Sequence, residues 1–122
     1  MITSFRELKV WQRSDDLAFR VFDLTDNFPR SYVFDLTSQL RRAVLSVPTN
    51  IAEGCASVHS RELLQFLNIS RRSLSETQYL VHFAGRRQLI KVPERLQLES
   101  NCEEISKMLN GLIKSIRSKK TT

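Results

Sequence analysis

Residues that punctuate helices are scarce in this chain: three glycines and three prolines among 122 residues. A many-stranded fold needs frequent turns, so the scarcity argues against all-β architectures and favours a few long helices. The two cysteines, Cys55 and Cys102, match neither a metal-ligand spacing nor a CxxC redox pair. Each falls on an apolar helical face, where a buried free thiol is the expected state. The two histidines, His59 and His82, have no neighbour at ligand spacing, so neither a metal nor a cofactor is expected. No glycine-rich phosphate loop is present. Acidic neighbours such as Asp15-Asp16 and Glu103-Glu104 diverge on a helix and share no site. Without converging acid–base groups, the chain reads as a non-enzyme. No apolar run approaches the ~20 residues that span a bilayer. The opening MITSFRELKVWQRSDD turns charged too soon for a secretory signal. A cytoplasmic protein with reduced thiols is expected.

What the chain has is apolar residues at helical spacing in four stretches. The first helix is expected over 5–27, with Val10, Leu17, Val21, Leu24 and Phe28 as its seam and Phe28-Pro29 as its stop. The second is expected over 35–56, with Asp35 or Thr37 as cap and Leu36, Leu40, Val44, Val47 and Ile51 inward. Pro48 sits within that face. A helix-interior proline costs about 3 kcal/mol, so the helix either kinks there or ends and restarts with Pro48 in a first turn. Ser46, Thr49 and Asn50 stand ready to bond the freed backbone groups.

The third helix is expected over 61–87, capped by Ser60. It carries two adjacent inward rows: Leu63, Leu67, Ser70, Leu74, Thr77, Val81 and Ala84, then Phe66, Ile69, Ser73, Leu80 and Phe83. So wide an arc exceeds the single stripe a bundle helix needs and suggests either a central helix or a helix that also meets another subunit. Phe19 and Phe22 on the first helix are spare in the same sense. The fourth helix starts at Pro93-Glu94, with Leu98, Cys102, Ile105, Leu109, Leu112 and Ile116 as its seam. Short connections force antiparallel neighbours. The expected fold is therefore all-α, an antiparallel up-down-up-down four-helix bundle over 1–117, with 118–122 a frayed basic tail.

Glu76 falls within the wide arc of the third helix, and a buried carboxylate needs a partner; Arg41 or Arg42 is the expected one. Gly54 would admit a close helix, and Asn50 would tie down the backbone around Pro48. We read Arg41, Arg42, Pro48, Asn50, Glu53, Gly54 and Glu76 as structural.

The net charge is +6, unevenly placed: residues 1–58 hold 7 basic and 7 acidic side chains, residues 59–122 hold 12 and 6. A basic half attracts phosphate backbones or other anionic surfaces. Arg71, Arg72, Arg86, Arg87, Lys91, Lys114, Arg117, Lys119 and Lys120 are the candidate phosphate contacts. No aromatic-interleaved single-strand platform or helix-turn-helix is evident, so backbone contact to RNA or DNA with low sequence preference is the expected mode. The rival reading is a protein-interaction scaffold whose charge is only a surface property.

The segment LTSQLRRAVLSVPTNIAEG resembles the signature of the bacterial four-helix-bundle proteins encoded in intervening sequences of 23S ribosomal RNA genes. FRELKVWQRSDDLAFRVFDLTDNFP, RELLQFLNISRRSLSE and MLNGLIKSIRS are similar to that family's first, third and fourth helices, in its order. The resemblance implies a four-helix bundle that assembles as a ring-forming homopentamer. By analogy with a related branch that accompanies reverse transcriptases, it also implies a basic oligomer engaging structured RNA, ribosomal or intervening. The chain departs from the pattern after NIAEG, where Cys55, Ala56, Ser57 and Val58 replace an aromatic, a glycine and basic residues. Arg72 stands where a glycine is common, and Gln78 where a second acid is frequent.

Overall fold

The computed structural model describes residues 4–120, and among them all regular structure is helical. A 3-10 turn, Phe5–Glu7, precedes α1 (Lys9–Thr25); α2 (Ser38–Cys55), α3 (Ser60–Arg86) and α4 (Val92–Lys120) follow. Helix α1 packs on α2 and α4, and α3 packs on α2 and α4, so α1 and α3 occupy opposite corners of a four-helix bundle. The broadest interface joins α2 to α3.

Cross-helix pairs set the directions. Gln39 meets Glu76 while Ser46 meets Ser73, so α2 and α3 run antiparallel. Gly85 lies against Arg95 while Arg71 reaches Asn110, so α3 and α4 do too. Arg13 pairs with Glu104 at 2.8 Å, and Leu24 shares a groove with Pro93 and Leu98, so α1 and α4 are likewise antiparallel.

The expected seams form one core. Leu17, Val21, Leu40, Val44, Val47, Ile51, Leu67, Leu74, Val81, Leu98, Cys102, Ile105 and Leu109 are all essentially sealed from solvent. Fully burying a Leu or Ile contributes roughly 1.5–3 kcal/mol, so these positions dominate stability. The second row on α3 is only partly covered. Leu80 is buried and Phe66 half-buried, whereas Ile69 and Phe83 remain exposed at 42% and 40%.

Helix ends depart from expectation where local geometry overrides propensity. The first helix does not begin at Phe5. Ser4 caps a 3-10 turn by accepting from the Arg6 N–H, and Leu8 is extended (φ −80°, ψ 125°) before α1 starts. Phe5 stays close, its ring edge-on to Trp11 at 4.8 Å. The second helix is entered through a π-helical turn, Val33–Thr37. Thr37 is itself helical (φ −60°, ψ −50°) and caps nothing; among the described residues its buried Oγ1 has no partner. Asp35 instead accepts from the N–H of Leu36. Ser60 is the first residue of α3 rather than its cap; His59, extended at φ −108°, holds the cap position without a side-chain bond. Helix α3 closes with Gln88 at φ 61°, the Leu89 N–H reaching the Ala84 carbonyl at 3.0 Å, a left-handed C-terminal motif that usually employs glycine. Helix α4 continues through Lys119 to Lys120, where the sequence suggested a frayed tail; Thr121 and Thr122 lie outside the described residues.

Pro48 neither ends nor restarts a helix: α2 runs through it without interruption. Its missing N–H and the clash of its ring loosen the turn before it. Five side chains gather around that turn. Thr49 donates to the Leu45 carbonyl at 2.7 Å, and Asn50 donates to the Ser46 carbonyl at 2.8 Å. Across the interface Ser70 donates to the Val47 carbonyl at 2.8 Å, and Ser73 reaches the Ser46 hydroxyl at 2.7 Å. Two of the polar residues on α3's inner face, Ser70 and Ser73, thus bond the turn before Pro48, while Thr77 donates to the Ser73 carbonyl of its own helix.

Candidate functional site

Arg41 lies on the side of α2 that faces α1, too far round the helix to meet Glu76. Its Nε donates to Thr25 Oγ1 at 2.8 Å, and its Nη2 to the Phe22 carbonyl at 3.2 Å and to Asp26 Oδ1 at 2.7 Å. The guanidinium also stacks on the Phe22 ring, 4.6 Å from its centroid. The side chain thus ties the end of α1 to the start of α2. The expected Arg–Glu76 pair does not form. Glu76 is exposed and accepts from Gln39 at 3.0 Å, because the buried arc of α3 stops at Ser73 and Thr77.

Arg42 is exposed, in an open groove of about 630 Å³ between α2 and α3 that also holds Gln39, Ser46, Ser73 and Glu76. Phe34, 98% exposed, stands at the groove's end and also borders a second groove, of about 620 Å³, with Phe22, Val33 and Leu45. Gly54 faces α3 so closely that a Cβ there would sit 3.0 Å from Leu63 Cδ1 and 3.1 Å from Phe66 Cβ. Glu53 is exposed on the outer side of α2.

The nine candidate phosphate contacts do not converge on one surface. Arg86 and Arg87 end α3 and Lys91 follows, whereas Lys114, Arg117, Lys119 and Lys120 end α4, beside the start of α3. By the register that Arg71 and Asn110 set, the two groups are about 30–40 Å apart at 1.5 Å of rise per residue along α3. Arg71 is half-buried and donates to Asn68 at 2.9 Å; Arg72 is exposed at mid-helix. Arg87 is tied down, its Nε donating to the Tyr32 hydroxyl at 3.0 Å. Lys114 and Arg117 are exposed and form no ion pair among the described residues. Lys107, not singled out above, is exposed on the same side of α4 as Lys114; the seven-residue spacing between the two is the signal that could have found it. From 107 to 120 the helix carries five basic residues and no acidic one.

Among the described residues, no group of three or more His, Cys, Asp or Glu is placed to hold a metal ion. No helix among them is long and apolar enough to cross a membrane. The thiols are set for packing rather than reaction. Burial raises the pKa of Cys55 and, together with the negative charge of Glu99, pushes that of Cys102 up to about 12. A folded-state pKa above the unfolded value of roughly 8.5 means that this contribution is complete below about pH 8.5 and is lost as pH climbs toward 12. Urea midpoints taken from pH 8 to 11 should fall, with a slope of up to ~1.4 kcal/mol per pH unit from this group. Cys102→Ala, less stable at neutral pH, should lack that component; equal pH slopes in the two proteins would refute it.

The sequence profile described as 23S rRNA-intervening sequence protein matches residues 6–111. The fold is similar to the crystal structure of a protein of unknown function from the S23 ribosomal protein family of Bacteroides thetaiotaomicron. That similarity has a TM-score of 0.80 and 24% identity, over 86% of this chain and 95% of the other. No curated protein matches the sequence at a comparable level.

Proposed function

Because the chain belongs to the 23S rRNA-intervening sequence protein family, we propose that it is a non-catalytic, nucleic-acid-binding oligomer that contacts structured RNA, ribosomal or intervening, through backbone phosphates. The observation that carries this reading is the final stretch of α4, helical through Lys120, with five basic residues and no acid from 107 to 120. Phosphate neutralisation needs several cations on one preorganised surface, and a helix spaces them without an ordering cost. An oligomer multiplies that charge by its subunit number.

The placement also ranks the two basic groups. Lys107, Lys114 and Arg117 are the stronger candidates; Arg86, Arg87 and Lys91 are weaker, because Arg87 is committed to Tyr32. Fluorescence anisotropy against structured ribosomal RNA fragments should show affinity falling steeply with salt. Replacing Lys107, Lys114 and Arg117 together by Gln should reduce the log–log salt slope by about 2–3 per subunit engaged. The Arg86/Arg87/Lys91 triple variant should lose less. Absence of binding at low salt by the intact assembly would sink the RNA reading. The second reading, a scaffold for another polypeptide, is favoured by Phe34, an aromatic left 98% exposed beside an apolar groove. Undiminished affinity for a protein partner in the α4 triple variant would support it.

A further inference from the structure

The end of α3 carries more aromatic surface than the core uses. Leu80, Val81 and Ala84 fill the core from its last turns, whereas Tyr79 is 59% exposed and Phe83 40%. The connection between α1 and α2 brings Tyr32 to the same place. The three rings line one open groove of about 440 Å³ between the start of α2 and the end of α3, with Leu80 between them. The centres of the Tyr79 and Phe83 rings are 6.4 Å apart and their planes are tilted by 43°, so neither ring gives a whole face to the other. No aromatic platform shows in the sequence because Tyr32 lies far along the chain from Tyr79 and Phe83.

The polar groups around these rings are of both signs. Arg87 stands at one wall: its Nε donates to the Tyr32 hydroxyl at 3.0 Å and its Cζ lies 5.9 Å from that ring's centre. Its two Nη atoms make no hydrogen bond among the described residues. Arg72 and Arg86, seven residues before and after Tyr79, share its side of α3, are exposed, and form no ion pair among the described residues. The acid lining the groove is Asp35, which spends one carboxylate oxygen on the N–H of Leu36 and keeps the other free of a donor among the described residues. Glu76, the next acid, is held by Gln39.

Each kind of group selects an occupant. Exposed rings favour a planar partner, the free guanidinium N–H groups favour an anionic oxygen, and the carboxylate needs an N–H donor. A simple polyanion is repelled by Asp35, and a purely apolar segment leaves both Asp35 and Arg87 unanswered. A nucleotide supplies all three. We infer that this groove takes an unpaired nucleobase of the RNA, stacked on Tyr79 and Phe83, with its ring N–H or amino group donating to Asp35 and its phosphate on Arg86 or Arg87. Purines offer the larger ring area and are the preferred occupants. The inference rests on the RNA reading above and adds to it a contact at the end of the bundle opposite Lys114 and Arg117. Duplex RNA keeps its bases inside, so only a loop, a bulge or a strand end can fill the groove. The contact therefore reads unpairedness, and stacking rather than charge supplies its strength.

Two RNA hairpins that differ only by a single bulged adenine in the stem test this. In fluorescence anisotropy the unaltered protein should bind the bulged hairpin about tenfold tighter than the fully paired one. Tyr79→Leu/Phe83→Leu keeps apolar area but removes both aromatic faces. It should bring that ratio close to one while leaving the affinity for the paired hairpin, and its salt slope, unchanged. Tyr79→Phe, which keeps the ring, should retain the preference. Both side chains are exposed, so circular dichroism and light scattering should show the same fold and assembly state in every variant. Equal affinity of the unaltered protein for the two hairpins, or a preference that persists in the double leucine variant, would overturn the subsite and leave the RNA reading standing. A double variant whose assembly state changes would give the groove to a contact between polypeptides and would also overturn it. Binding of neither hairpin at low salt would overturn both readings.

Discussion

Gly54→Leu is expected to lower stability by about 3 kcal/mol, because the position is buried against α3. A Cβ at that position already meets Leu63 Cδ1 at 3.0 Å and Phe66 Cβ at 3.1 Å, so three further carbons have nowhere to go. Phe66 Cβ is anchored to the α3 backbone and cannot swing aside. The helices must separate, and they do so along the broadest interface in the bundle. Gly54→Ala is the control. Its added methyl gains ~1 kcal/mol of helix propensity against a contact tight by only a few tenths of an ångström, so it should be close to neutral. Urea denaturation of the three proteins checks the pair; a leucine variant as stable as the parent would mean that α2 and α3 are further apart than described.

Arg41→Ala should cost about 2–3 kcal/mol, whereas Glu76→Ala should change stability by less than about 0.5 kcal/mol. The contrast follows from what each side chain touches. Arg41 makes three hydrogen bonds and a ring contact, and its removal strips a partner from the buried hydroxyl of Thr25. Its side chain is still 30% exposed, which keeps the loss below that of a fully buried ion pair. Glu76 offers a single exposed bond to Gln39. Thermal unfolding of the two variants side by side suffices, and a larger loss for Glu76→Ala would invert the assignment.

Much of the fold could be read before any coordinates because burial in a bundle follows the helical period. The seam residues from Val10 to Leu109 recur at three and four, and nothing in the tertiary structure moves them off the inner face. The polar cluster at Pro48 was half legible. Ser46, Thr49 and Asn50 are neighbours in sequence, but Ser70 and Ser73 read as gaps in an apolar row until α3 is laid against α2. The partner expected for Glu76, Arg41 or Arg42, does not meet it for a related reason. Periodicity says how far round a helix a residue lies but not which neighbour fills that side, and Arg41 lies on α1's side of α2. The helix starts were misjudged because Leu8, Thr37 and Ser60 take conformations set by packing and by adjoining turns rather than by their own capping tendency. The basic residues looked like one population in the sequence. Only the antiparallel path of α3 and α4 sorts them to opposite ends.

That path has a practical consequence. With Arg13 opposite Glu104, α1 starts level with about residue 108 and α4 runs on past it to Lys120, so both ends of the described chain point to the same end of the bundle. It is the end that carries Lys114 and Arg117. An affinity tag or a dye attached to either end of this chain therefore stands beside the proposed phosphate contacts, and a histidine tag would add titratable charge there. Labels placed instead in the connection between α1 and α2, near exposed Ser31, report from the far end and leave that surface clear.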